Sequence, residues 1–270
     1  MPTAPQQKLP LGPPIDGAQL AEQAAALAAR EPLLAAFIGA VADDPDPTVM
    51  LARLISQRLA GSTINRQALY NAAIECFSSD VAAAAAGADL AAIDQRDSAC
   101  RSPLNALLFS KGFVALQGYR VAHQLWNSGH RNAALLIQHA ISCKLAVDIH
   151  PAAAIGGGVM LDHATGVVIG ETARVEENVS IMQGVTLGGT GKESGDRHPK
   201  VGRGVLLGPG AKVLGNITVG HCSRIAAGSV VLEDVPACKT VAGIPARIVG
   251  EAGCDQPAVS MNHMLGKDSD

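Results

Sequence analysis

Aliphatic side chains recur every sixth residue through the second half of this chain, and so short a period admits few folds. The series runs Ile149, Ile155, Leu161, then Ile169, Val175, Ile181, Leu187, then Val201, Leu207, Val213, Val219, Ile225, Val231. Four places after most of them lies a small or branched residue: Ala153, Val159, Thr165, Ala173, Val179, Val185, Val205, Ala211, Ile217, Ser223, Ser229. Glycine often follows the aliphatic, as at Gly156, Gly170, Gly188, Gly202, Gly208 and Gly220. Thirteen such hexapeptides read as a solenoid of parallel strands, each repeat giving one short strand and its corner. An ordinary sheet protein with glycine-rich turns would have strands of varied length instead.

The register breaks twice. A strict period of six from Ile149 puts Glu171, Glu177 and Gln183 at the small inward position. Burying unpaired carboxylates is costly, so two extra residues are expected near Val167. Eight more are extra between Leu187 and Val201, which makes 188–200 a loop thrown out of the repeat.

The first half has a different grammar. Residues 1–148 hold eight of the 29 glycines, are rich in alanine and show helical spacing. Helices are expected over Ala18–Val41, interrupted near Pro32, and over Pro47–Leu59, Ile64–Phe77, Asp80–Ile93, Leu104–Asn127 and Asn132–Val147, with a polar loop at 94–103. Domain organisation follows: a disordered Pro- and Gln-rich tail over 1–14, a helical domain over 15–147, the solenoid over 148–250, and a flexible tail over 251–270.

Composition excludes several functions. The chain is 48% hydrophobic but only 3% aromatic, with a formal charge of −3. That speaks against disorder and against a nucleic-acid stacking surface. No run of eighteen apolar residues suggests a membrane span. Six widely spaced cysteines without a CxxC pair suggest reduced, buried or idle thiols and a cytoplasmic protein. No zinc spacing supports a metal site, and no P-loop, dinucleotide fingerprint or GxSxG elbow occurs.

The ionisable residues available for acid–base work are Asp148 and His150 (VDIHPAA), Asp162 and His163 (LDHATG), Arg197 and His198 (GDRHPK) and Asp97 in the polar loop. Each has a bland reading as well. Asp148 could be a junction residue, Asp162 a turn residue and Arg197 a surface charge. His123, His130, His139, His221 and His263 read as ordinary surface or capping histidines.

Taken together, DIHPAAAIGGGVMLDHATGVVIGETA, VTLGGTGKESGDRHPK and AGIPARIVG resemble the serine O-acetyltransferase family of hexapeptide-repeat acyltransferases. EPLLAAF, RDSAC and SKGFVALQGYR are similar to that family's N-terminal domain, so the resemblance covers roughly residues 20 to 255. It implies an α+β chain: an all-α domain followed by a left-handed parallel β-helix, an exception to the usual crossover hand. It further implies trimers or dimers of trimers, with sites between neighbouring subunits. The implied reaction moves acetyl from acetyl-CoA, a co-substrate rather than a resident cofactor, to the hydroxyl of L-serine, with L-cysteine as feedback inhibitor.

By the same resemblance His163 is the general base and Asp148 orients it. Asp97 and Asp162 meet the serine ammonium, Arg197 its carboxylate, and His198 positions the substrate. Gly189 and Thr190 lie near the thioester, where a backbone N–H can stabilise the oxyanion. Lys239 or Arg247 could meet nucleotide phosphates on grounds of charge alone. Two departures stand out. Pro209 replaces a small residue usual near the CoA groove and removes a backbone donor. The chain also ends in Gly266-Lys267-Asp268-Ser269-Asp270 rather than isoleucine, which predicts weak or no docking to O-acetylserine sulfhydrylase. Related readings are an acyltransferase for homoserine, a sugar or antibiotic acetyltransferase, and an inactive scaffold. The acids paired with a base favour a zwitterionic acceptor.

Overall fold

The computed structural model describes residues 14–191, 194–253 and 256–264. Residues 1–13 and 265–270 lie outside the described residues, and with them the expected N-terminal tail and the chain end that bears on sulfhydrylase docking.

Eight helices come first: α1 (Gly17–Arg30), α2 (Ala35–Ala42), α3 (Pro47–Leu59), α4 (Arg66–Phe77), α5 (Asp80–Arg96), α6 (Pro103–Phe109), α7 (Lys111–Asn127) and α8 (Arg131–Leu145). Side chains of Asp16, Asp46, Asn65, Ser102 and Ser110 accept hydrogen bonds from first-turn amides, and Pro47 and Pro103 occupy first helical positions. Ser110 corrects the expectation of one helix over Leu104–Asn127. Its backbone is extended (ψ 103°) and its Oγ accepts from Phe113 N–H at 3.2 Å, so α6 stops and α7 starts there. Helix α5 runs one turn further than expected, to Arg96, and shortens the polar loop. No single described helix is long and apolar enough to cross a bilayer.

The strands are β1 (Val147–Ile149), β2 (Ala154–Ile155), β3 (Met160–Leu161), β4 (Val167–Ile169), β5 (Arg174–Val175), β6 (Ser180–Ile181), β7 (Thr186–Gly188), β8 (Lys200–Val201), β9 (Leu206–Leu207), β10 (Lys212–Leu214), β11 (Thr218–Val219), β12 (Arg224–Ile225), β13 (Val230–Val231), β14 (Lys239–Gly243) and β15 (Ala246–Glu251). Each of the thirteen periodic aliphatics sits in its own strand, β1 to β13. The strands form three faces of a parallel β-solenoid. The first is β1-β4-β7-β10-β13, the second β2-β5-β8-β11, and the third β3-β6-β9-β12-β14 with β15 added antiparallel.

Pairing locates both breaks in the repeat. Ile149 stacks on Ile169 and Leu161 on Ile181, twenty residues on where three hexapeptides would give eighteen. Val175 stacks on Val201 and Leu187 on Val213, twenty-six on. The two extra residues lie in the corner between Leu161 and Ile169, and the eight in the excursion before β8. Thr165, expected inside, is therefore exposed, and Val167 is buried in its place. The rest of the small column is enclosed, as at Ala153, Val159, Val179, Val205 and Ala211, apart from Ile217, which is partly buried.

The helical half closes the first coil. The Asp89 carboxylate, fully buried, accepts from Arg120 Nη2 at 2.6 Å, from Gln117 Nε2 at 3.0 Å and from Val159 N–H at 2.9 Å. Arg120 also donates to Gly156 O, and the Tyr119 hydroxyl donates to Ala153 O. The start of α7 touches β3 so closely that a Cβ on Gly112 would lie 2.0 Å from the Leu161 carbonyl oxygen. Coil backbone that would otherwise end in unpaired groups is thus satisfied by helix side chains.

The other end departs from the expected flexible tail. Strand β15 turns back to cover the last coil, and a short helix α9 (Pro257–Ser260) seats on the third face. Ala258 is buried, its N–H donates to Gly204 O, and its carbonyl accepts from Ser180 Oγ at 2.8 Å. Arg224 Nη1 donates to Asn262 O at 2.8 Å. An apolar residue flanked by satisfied backbone is what holds this segment. Among the cysteines, Cys76 is buried and its thiol is pushed up to about 12 by burial, whereas Cys143 and Cys238 are exposed.

Candidate active site

Two corners of the solenoid border the first face, and the expected site residues divide between them. The corner joining β3 to β4 carries the two extra residues. Its path uses left-handed backbone at His163 (φ 54°), Ala164 (φ 58°) and Gly166 (φ 76°). Non-glycine residues held there cost roughly 1–3 kcal/mol each. The result is an imidazole thrown outward, 72% exposed, with Nε2 3.9 Å from Asp162 Oδ1. Asp162 itself is far more enclosed, with 20% of its side chain exposed. Burial first, then the neighbouring Asp97 charge, raise its carboxyl above the usual range, while His163 opposes them. Asp97 caps the end of α5, and its Oδ1 accepts from Ala99 N–H.

The corner joining the first face to the second carries His150, then Glu171 and Thr172 one coil on, then the excursion. Arg197 Nη2 meets Glu171 Oε2 at 2.7 Å, and this bond holds the Glu171 carboxyl below its ordinary value. His198 is almost enclosed, and burial, then the Arg197 charge, depress its ionisation. Its ring lies over Gly170, where a Cβ would sit 2.1 Å from Nε2. Glycine is required there by close approach rather than by a turn. His150 is depressed too, first by burial, and its Nδ1 accepts from Ala152 N–H while Trp126 packs edge-on at 5.0 Å. Gly189 begins the excursion beside Arg197, and the Thr190 methyl faces Gly215.

Asp148 stands in β1, on the face between these corners. Its Oδ1 accepts from Gln138 Nε2 at 2.6 Å. Among the described residues no hydrogen bond or ion pair joins Asp148 to His163, or either corner to the other. One chain therefore groups Asp97, Asp162 and His163, and separately Arg197, His198, Gly189 and Thr190.

Glu171, Thr172 and a role for His150 were not assigned from the sequence. Stacking arithmetic could have found the first two, because Leu187 pairs with Ile169 and so aligns Gly189 with Glu171 and Thr190 with Thr172. His263, read as an ordinary histidine, is brought by the docked C-terminal segment close enough to Asp162 for each to shift the other. Nothing local in the sequence signals that.

Known proteins match both halves. The family model for the N-terminal region of serine acetyltransferase matches residues 18–118, and the bacterial transferase hexapeptide model (six repeats) matches 198–233. Serine acetyltransferase of Salmonella typhimurium is 49% identical over 242 residues, 89% of each chain. A structure of serine acetyltransferase in complex with cysteine is similar at TM-score 0.88 and 46% identity, covering 92% of this chain and 97% of that one. The Brucella abortus enzyme in complex with coenzyme A gives TM-score 0.85 at 45% identity over 88% and 96%. The soybean enzyme complexed with serine gives 0.84 at 48% over 86% and 97%. With helices, solenoid and near-full length all accounted for, the chain belongs to the serine acetyltransferase family of acyltransferases.

Proposed function

We propose that the protein transfers acetyl from acetyl-CoA to the hydroxyl of L-serine, at a site completed by a neighbouring copy of the chain. The observation that carries this is the division of the site. An acid pair with an exposed imidazole stands at one edge of the first face, and a guanidinium with a neutral imidazole at the other. Packing copies side by side, as trimers or pairs of trimers, brings one copy's first corner to another's second. Relatives with serine, coenzyme A and cysteine bound fit the acceptor, donor and inhibitor classes.

In the assembled site the serine ammonium faces Asp97 and Asp162, and its carboxylate faces Arg197 and His198. His163 Nε2 takes the hydroxyl proton as serine Oγ attacks the thioester carbonyl. Asp148, from whichever copy lies nearest, steadies the imidazolium. A backbone N–H at Gly189 or Thr190 stabilises the tetrahedral oxyanion. Collapse expels CoA thiolate, which takes the proton back from His163. An exposed, left-handed histidine has no packing role, so its strain is understandable as preparation for chemistry. L-Cysteine, with the same zwitterionic ends, occupies the serine position.

The decisive measurement is thiol release from acetyl-CoA with serine, homoserine, threonine and a sugar as acceptors. Serine gives the highest kcat/KM, and His163→Ala lowers kcat by about 10²–10⁴. A higher kcat/KM for homoserine or sugar, or near-normal turnover in the variant, overturns the reading.

A further inference from the structure

We propose that Thr172 is a positioning residue that fixes both Arg197 and His198 and holds His198 in the tautomer with its proton on Nε2. This rests on reading Arg197 and His198 as the ends that grip the acceptor carboxylate. Every polar group of Thr172 is engaged with the excursion. Its Oγ1 accepts from Arg197 N–H at 3.0 Å and from His198 N–H at 3.1 Å. Its own N–H donates to His198 Nδ1 at 3.2 Å, and Oγ1 lies 2.8 Å from the same nitrogen. Its carbonyl accepts from Lys200 Nζ at 3.1 Å, and that ammonium also binds His198 O and Asp196 Oδ1.

The hydrogen count decides the tautomer. A backbone N–H can only donate, so Nδ1 must be an acceptor and unprotonated. The Oγ1 hydrogen is shared between Nδ1 and the Asp196 carboxylate, which also takes a hydrogen bond from this side chain, so the backbone N–H is what fixes Nδ1 as an acceptor. Burial and Arg197 keep the ring neutral. A neutral ring with an acceptor Nδ1 carries its hydrogen on Nε2, which has no hydrogen-bond partner among the described residues. A donor there, beside the Arg197 guanidinium, suits a carboxylate and not an ammonium. One hydroxyl thus shapes a two-donor cradle from a loop that the repeat cannot hold, because the described residues between β7 and β8, 189–191 and 194–199, have no strand partners of their own.

The test uses the full-length protein with Thr172→Val, which deletes the hydroxyl at constant shape, and Thr172→Ser, which keeps it. Removing the acceptor of two part-buried amides weakens the loop by an amount worth about 5- to 100-fold in equilibrium. Thr172→Val raises the KM for serine by about that factor, leaves the KM for acetyl-CoA within about twofold, and speeds hydrogen exchange at Arg197 and His198 amides. Its His198 ¹⁵N ring resonances move from the Nε2-protonated pattern towards a mixed one. Thr172→Ser restores all of these. Unchanged amide exchange and ring resonances in Thr172→Val overturn the clamp, as does a Ser variant as impaired as Val. Arg197→Ala separates the two claims. If its serine KM is normal while Thr172→Val still loosens the loop, the carboxylate reading fails and the clamp stands.

Discussion

The helical half and the solenoid solve the same problem in opposite ways. The helices bury rings, with Phe77, Phe113 and Tyr119 fully enclosed, and their contacts follow no fixed period. The solenoid contains no Phe, Tyr or Trp and stacks one slim aliphatic on another at each face. A core that repeats leaves its corners interchangeable, so any corner that departs from the repeat is conspicuous. The departures are the corner with two extra residues, which carries Asp162 and His163, and the excursion with eight, which carries Arg197 and His198. Regularity supplies the rigid support and irregularity the chemistry. Only Asp97 comes from the helices.

The largest expected effect lies where the two regions join. Asp89→Ala leaves the Arg120 guanidinium buried without its carboxylate and is expected to cost about 3–5 kcal/mol. Urea unfolding followed by the lone Trp126, which reports the helices, and by far-ultraviolet circular dichroism would measure it. A loss under about 1 kcal/mol would mean that the halves stand independently of this joint.

The next sharpens the contrast in core style. Val179→Phe places a ring in a column where every neighbouring coil is stacked directly above or below. Overpacking of this kind costs about 1–3 kcal/mol. Wild-type stability in that variant would show that the absence of Phe, Tyr and Trp from the solenoid is incidental rather than steric.

How much of this could be read in advance follows from the same contrast. A strict period made β1 to β13 legible residue by residue, and even the two-residue insertion, because the alternative buried Glu171 and Glu177. The period ends at Val231, so the β14–β15 hairpin was not legible. Helix ends were legible where a proline or cap marked them, as at Pro47. The break at Ser110 was missed, because serine is tolerated in helices and its cap is visible only once its side chain is seen to turn back. The site residues came from motif resemblance. Their grouping into two corners needed the register. Ala258 docking and the approach of His263 to Asp162 depend on contacts between residues far apart in the chain, which no local pattern encodes.

A smaller effect tests whether the irregular corner serves the fold at all. Deleting His163 and Ala164 together returns the β3–β4 corner to a regular six and removes two strained residues. Stability should be unchanged or higher, by up to about 3 kcal/mol, while acetyl transfer is lost. Thermal unfolding reads the first and thiol release the second. A drop of more than about 2 kcal/mol would show that the insertion is structural.

The smallest effect is a difference in acid sensitivity, and its sign can be worked out. The histidines whose ionisation is depressed, His150, His198 and His263, all belong to the solenoid half, and burial is the first cause in each. A histidine with a lowered folded value binds fewer protons folded than unfolded. Its contribution is therefore fully present above the unfolded imidazole value of about 6.5 and declines as pH falls below it, levelling off under the folded value. The slope from one such group cannot exceed about 1.4 kcal/mol per pH unit. For His198 the cause is concrete, since a proton on Nδ1 would confront the Thr172 N–H that now donates to it. His198→Gln, which keeps a polar side chain without a titrating group, should flatten the fall in stability between about pH 6.5 and 5. Urea midpoints at those two pH values decide it. An unaltered slope would mean that acid acts elsewhere, and that the solenoid's enclosed histidines titrate no differently from those of an unfolded chain.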